Sequence, residues 1–125
     1  MTRIVVDSNV LIDVSRNDAR AIAFLESAID SGEVWSVTPV RTEVLWNLRA
    51  AELSAADRML RSINWLEVTT FIADRAGAFG QQYGRSHGLG VVDAIVAAAT
   101  EELQASLATL NVRHFPMFPG LQRPY

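Results

Sequence analysis

Ile4-Val5-Val6-Asp7-Ser8-Asn9-Val10-Leu11-Ile12 joins an apolar run to an amphipathic one through a single carboxylate. A continuous run rich in β-branched residues suits a strand buried on both faces of a parallel sheet, and Ser8 or Asn9 can cap the helix that follows. Asp7 then stands at the carboxyl end of a strand, where open α/β sheets gather ligands. The plainer role for an acid at this junction is a helix cap. Chemistry is favoured because polar residues recur at equivalent junctions farther along the chain.

Working outward, Asn17 or Asp18 opens a helix through Ile29, with Ile22, Leu25 and Ile29 on one face and Gly32 as its stop. Val34-Trp35-Ser36-Val37 reads as a second strand, followed by a helix with Thr38 as cap and Pro39 in first position. Glu43 lies about one turn inside that helix. Val40, Val44 and Leu48 share its helical spacing while Leu45 and Trp46 point elsewhere, so it needs a second packing partner. Ser54 and Asp57 resemble a capping box for a helix to about Ile63, and Trp65-Leu66-Glu67-Val68 is a third strand. Thr69 or Thr70 caps a helix striped by Ile72, Ala76, Phe79 and Tyr83. A loop from Gly84 to Gly90 precedes the helix that Val92 and Asp93 open. Ser106-Leu107-Ala108-Thr109-Leu110 is a fourth strand ending at Asn111, and Phe115 to Gly120 is rich in turn residues. Strands alternating with helices imply right-handed crossovers, hence a Rossmann-like three-layer α/β/α fold around a central parallel sheet of four to five short strands.

The 125 residues suit a single domain over 1–125 with one core. Half are hydrophobic and a fifth charged, which argues against disorder. No apolar run is long enough to cross a bilayer, and Met1-Thr2-Arg3 lacks a signal-peptide core, so the expected compartment is cytoplasmic, without membrane attachment. The absence of cysteine excludes disulfides, thiolate metal sites and a cysteine nucleophile. All eleven basic residues are Arg. With no Lys, a Walker-A phosphate loop and Schiff-base chemistry are excluded. A formal net charge of -3 gives no global signature of nucleic-acid binding.

In a parallel sheet the carboxyl ends share one edge, so residues just past each strand converge. Asp7 follows the first strand, Glu43 lies on the helix after the second, Asp93 opens the helix feeding the fourth, and Asn111 ends the fourth. That puts three carboxylates and a carboxamide at one rim, and the like charges raise one another's pKa and cost stability unless a cation sits among them. Oxygen donors alone select a hard ion, Mg²⁺ with Mn²⁺ as substitute. Such a cluster suits metal-assisted phosphodiester hydrolysis, with nearby Arg side chains carrying the substrate backbone.

At these residues the chain resembles PIN-domain ribonucleases, and within them the VapC-type toxins of bacterial type II toxin–antitoxin modules. The resemblance rests on Val6-Asp7-Ser8-Asn9-Val10-Leu11, on Glu43 within Thr38-Pro39-Val40-Arg41-Thr42-Glu43-Val44, on Val92-Asp93-Ala94-Ile95-Val96-Ala97-Ala98-Ala99, and on Thr109-Leu110-Asn111-Val112-Arg113-His114-Phe115. It implies Mg²⁺ held chiefly by Asp7 and Asp93, with Glu43 completing the site or handling a water. It also implies an RNA substrate, a cognate VapB-like antitoxin covering the acidic rim, and a homodimer. The fullest family pattern has a fourth acid where Asn111 stands, so one firm metal site is expected rather than two. Ser8 keeps the hydroxyl of the Thr common in the family, Asn9 is expected to orient Asp7 or a loop, and Thr109 to orient the site.

Arg113, His114 and Arg85 flank the rim as candidate RNA contacts; a solvated surface Arg and a loop His packed on an aromatic are the plainer roles. His87 has a weaker claim. Trp35 and Trp65 are core candidates, and the resemblance puts Trp46 at a partner interface. Three rivals compete with the nuclease. One is a catalytically weakened PIN-fold protein that binds RNA or antitoxin, since Asn111 replaces an acid. A phosphatase or receiver-like domain would need an acid two residues after Asp7 and a Lys, and has neither. A non-enzymatic module leaves the acids unexplained.

Overall fold

The structure is a computed structural model and describes residues 2–125. Strands β1 (Thr2–Val6), β2 (Gly32–Val37), β3 (Asn64–Leu66) and β4 (Ser106–Ala108) form one parallel sheet in the order β3-β2-β1-β4. The helices are α1 (Ser8–Ser15), α2 (Ala19–Ser31), α3 (Thr38–Asn47), α4 (Leu53–Ser62), α5 (Thr70–His87) and α6 (Val91–Glu102). From β1 the chain steps outward through β2 and β3, then returns to lay β4 along the other side of β1. The strand order therefore reverses between β1 and β4, where such sheets leave a crevice at their carboxyl ends. Val6 pairs with Ala108, so the residues just beyond this register, Asp7 and Thr109, emerge side by side.

The sheet is covered on both faces, giving three layers. Helix α6 packs on β1, β2 and β4 and carries α5 outside it, while α1 packs against α2, α3 and α4. Ala94, Val96, Ala97, Ala98, Ala99 and Thr100 of α6 are all buried; their small side chains let the helix axis approach the sheet closely. Val5, Val6, Val37, Val40 and Val44 complete the centre of the core without exposure. At the start of β2, a Cβ on Gly32 would stand 2.4 Å from the Thr2 carbonyl oxygen, so this position excludes a side chain.

Local expectations shift in several places. Asp7 itself caps α1, in place of Ser8 or Asn9. Asp18 caps α2 because Asn17 takes a left-handed turn conformation at φ 65°, and the buried face of α2 runs through Ala21, Leu25 and Ala28, leaving Ile29 exposed. Thr38 is the first helical residue of α3 and Val37 precedes it as cap, one residue earlier than read. Ser54 forms no capping box; instead the Arg49 N–H donates to Glu52 Oε1 at 2.8 Å in a 3₁₀ turn (Ala50–Glu52) before α4, and Asp57 pairs with Arg61 at 3.2 Å one helical turn on. The expected loop from Gly84 is helical through His87, and α5 stops where Gly88 adopts φ 68°. Strand β4 ends at Ala108, so Thr109 and Leu110 belong to the loop beyond it. The third strand spans Asn64–Leu66, ahead of Glu67 and Val68. Among the described residues, no helix is long and apolar enough to cross a membrane.

Candidate functional site

The Asp7 backbone N–H donates to the Ala108 carbonyl at 2.9 Å, which extends the β1–β4 ladder by one rung and turns the side chain into the protein. The carboxylate is only 3% exposed. Oδ1 accepts from the Ser8 N–H at 2.8 Å, the capping bond, and Oδ2 accepts from the Thr109 hydroxyl at 2.8 Å. Thr109 is fully buried, and its oxygen accepts in turn from Asn9 Nδ2 at 3.3 Å and from the Asn111 N–H at 3.1 Å. Asn9 Oδ1 takes the Leu110 N–H at 3.2 Å, locking the loop after β4 onto α1. Asn9 and Thr109 thus orient Asp7, whereas Ser8 contributes its backbone N–H.

Burial pushes the Asp7 carboxyl up from 3.8 to about 6, against the two hydrogen bonds that favour its charged form, and the negative charges of Asp93 and Glu43 push it the same way. Both neighbours are half-buried, Glu43 on α3 and Asp93 in the first turn of α6. Asp93 Oδ2 lies 3.0 Å from His114 Nδ1, a contact between residues 21 apart that no local pattern announced. Asp93 and Glu43 thus lie within electrostatic reach of Asp7 at the switch point. The Asn111 side chain is exposed, and only its backbone joins the network. Arg113 and Arg85 are exposed too, Arg113 on a 3₁₀ turn (Val112–His114) and Arg85 in the last turn of α5.

Among the described residues, no group of three or more acidic or His side chains stands close enough together to hold a metal ion. The donor chemistry nevertheless fits a hard divalent cation: the donors are carboxylate oxygens, and one of them carries a burial cost that a cation would offset. Thr109→Val tests how the site is held. Losing the donor to Asp7 and the acceptor for two N–H groups is expected to cost about 1–3 kcal/mol of stability by thermal melting, with Thr109→Ser restoring most of it.

Comparison with known proteins gives the class first. Residues 4–117 match the PIN domain, and the chain belongs to that family. Within it, the chain is 38% identical over 122 residues to "Ribonuclease VapC19" of Mycobacterium tuberculosis, which covers 96% of this chain and 98% of the relative. It is also 38% identical over 123 residues to "Ribonuclease VapC10" of the same organism, covering 98% and 92%. Among solved structures, a toxin-antitoxin complex from Klebsiella pneumoniae matches with a TM-score of 0.75 at 25% identity, over 98% of both chains. VapBC2 from Rickettsia felis, bound to a DNA fragment from its promoter, matches the fold with a TM-score of 0.77 over 96% of both chains. The α/β/α architecture expected from the sequence is the observed one.

Proposed function

We propose that this chain, folded as one PIN domain over 1–125, is a metal-dependent ribonuclease that hydrolyses RNA phosphodiesters, and the toxin of a type II pair neutralised by a VapB-like antitoxin. The observation that carries the chemistry is the buried Asp7 carboxylate, destabilised by its surroundings and faced by two further acids. Identity of 38% over nearly the whole chain to two VapC ribonucleases supports the substrate class. Asp7 and Asp93 would hold Mg²⁺, or Mn²⁺ in its place, with Glu43 completing the site or orienting a water and Asn111 at its edge. The bound ion supplies charge neutralisation at the phosphate and an acidified water. Thr109 and Asn9 hold Asp7 in the orientation a ligand needs, and His114 holds Asp93.

The antitoxin is a protein partner, and the surface beside the acids suits one: Trp46 is 84% exposed and Leu45 half exposed on the helix that bears Glu43. Membership of the family supports a homodimer, and an RNA substrate supports a cytoplasmic setting.

Incubation of the purified chain with total RNA and Mg²⁺ is expected to produce new RNA ends, and excess chelator is expected to remove them. Binding of RNA or antitoxin without cleavage under any divalent ion would favour the weakened PIN-fold reading that Asn111 invites. Brisk turnover of a small phosphomonoester with RNA untouched would overturn the nuclease.

A further inference from the structure

The last turn of α5 and the 3₁₀ turn Val112–His114 face each other across a cleft of about 270 Å³, walled by Ser86, His87, Arg113 and His114. None of these four is acidic, although the cleft adjoins the acids through His114. The His114 ring commits Nδ1 to Asp93 at 3.0 Å, so its far nitrogen, Nε2, turns toward the other wall. It lies 4.0 Å from where a Cβ on Gly88 would sit. One imidazole therefore spans from a candidate metal-binding carboxylate to a pocket of hydrogen-bond donors.

The opposite wall is ordered in the same sense. Ser86 Oγ and His87 Nδ1 are 2.7 Å apart, and the Tyr83 ring meets His87 edge-on at 5.6 Å. In the tautomer in which the Ser86 hydroxyl donates to Nδ1, Nε2 carries the ring proton and His87 is a donor. The left-handed Gly88 ends α5 at this point and presents the His87 turn beside the site. Arg113 adds a permanent cation on the facing turn, and its guanidinium carries the forked donors that suit phosphate oxygens.

We propose that this cleft is a subsite for a backbone phosphate of the RNA, next along the strand from the phosphate to be cut, held by His87 and Arg113 with Ser86 positioning His87. The inference rests on the nuclease reading and extends it: the acids act on one phosphate, and the cleft fixes the register of its neighbour. A basic subsite of this kind also explains how a chain of net charge -3 engages a polyanion locally.

The test is fluorescence anisotropy of a short single-stranded RNA against the full-length Asp7→Asn protein, which keeps the RNA intact, across a salt series. Adding His87→Ala and Arg113→Met together is expected to weaken binding about tenfold and to flatten the log K against log salt slope by about 0.7 to 1. Arg61→Met, which removes the same charge from α4, leaves that slope unchanged. Ser86→Ala reproduces part of the His87→Ala loss and Ser86→Thr restores it. All four positions are exposed, so folding is retained. If the wild-type chain cuts RNA but the double variant binds with the parent's affinity and slope, the subsite is wrong and the nuclease stands. If wild type neither binds nor cuts RNA, both fall.

Discussion

Asp7→Asn is expected to lower RNA cleavage by about three orders of magnitude and, in metal-free buffer at pH 7, to raise the melting temperature. The two effects have one cause. Folding removes the Asp7 carboxylate from water, and its pKa rises from 3.8 to about 6. Between those values the unfolded chain has already released a proton that the folded chain still holds. Stability contributed by this group therefore falls as pH rises from about 4 to about 6, and above 6 the whole cost, about 3 kcal/mol, is in force. Below pH 4 it vanishes. An amide at position 7 abolishes the charge but gives up part of the bonding to Ser8 and Thr109, so the net gain expected is about 1–2 kcal/mol, or roughly 3–8 °C. Mg²⁺ is expected to raise the melting temperature of wild type and to leave that of Asp7→Asn unmoved. The effect on wild type weakens below pH 6, as protons compete with the ion. Calorimetric melts with and without Mg²⁺, run from pH 4 to pH 8, check every arm. Wild-type cleavage by the Asn variant would remove Asp7 from the site altogether.

Phe115→Ala is expected to cost about 3–5 kcal/mol. The ring is 1% exposed and stacks on Phe118 with centroids 6.4 Å apart. It immediately follows His114, so the same side chain that fills the core pins the turn that brings His114 to Asp93. Cleavage at a temperature where the variant remains folded is therefore expected to fall as well, by about tenfold or more. Urea midpoints for Phe115→Ala and Phe115→Leu measure the first effect, with Leu retaining most of the packing. A loss under about 1 kcal/mol for the Ala variant would show that the turn is anchored elsewhere.

These expectations trace to different depths of information. The Asp7 junction was legible because it is local: an apolar strand pattern, a carboxylate and a helix start within nine residues. Glu43 and Asp93 followed from the same logic of strand ends. The sequence offers His114 as an RNA contact or a loop His packed on an aromatic, and it does precede the buried Phe115, but its bond to Asp93 has no signal in spacing. Asn111 occupied the position of a fourth acid by motif, yet its side chain faces solvent and its N–H does the bonding. The glycines at 84, 88 and 90 suggest a loop around His87. It lies in the last turn of α5, because Gly84 is tolerated within a helix and the chain turns only at the left-handed Gly88.

By itself the sequence determined the alternation of strands and helices, the burial of Val5 and Val6 and the acids at the strand ends, since side-chain periodicity and capping act over a few residues. Only the tertiary structure decided that β4 returns to lie beside β1. That single choice of neighbour carries Thr109 to Asp7 across 102 positions and sets His114 against Asp93. Strand order depends on which faces pack best once all the elements exist, and hydrogen bonds between distant residues form only after that order is set.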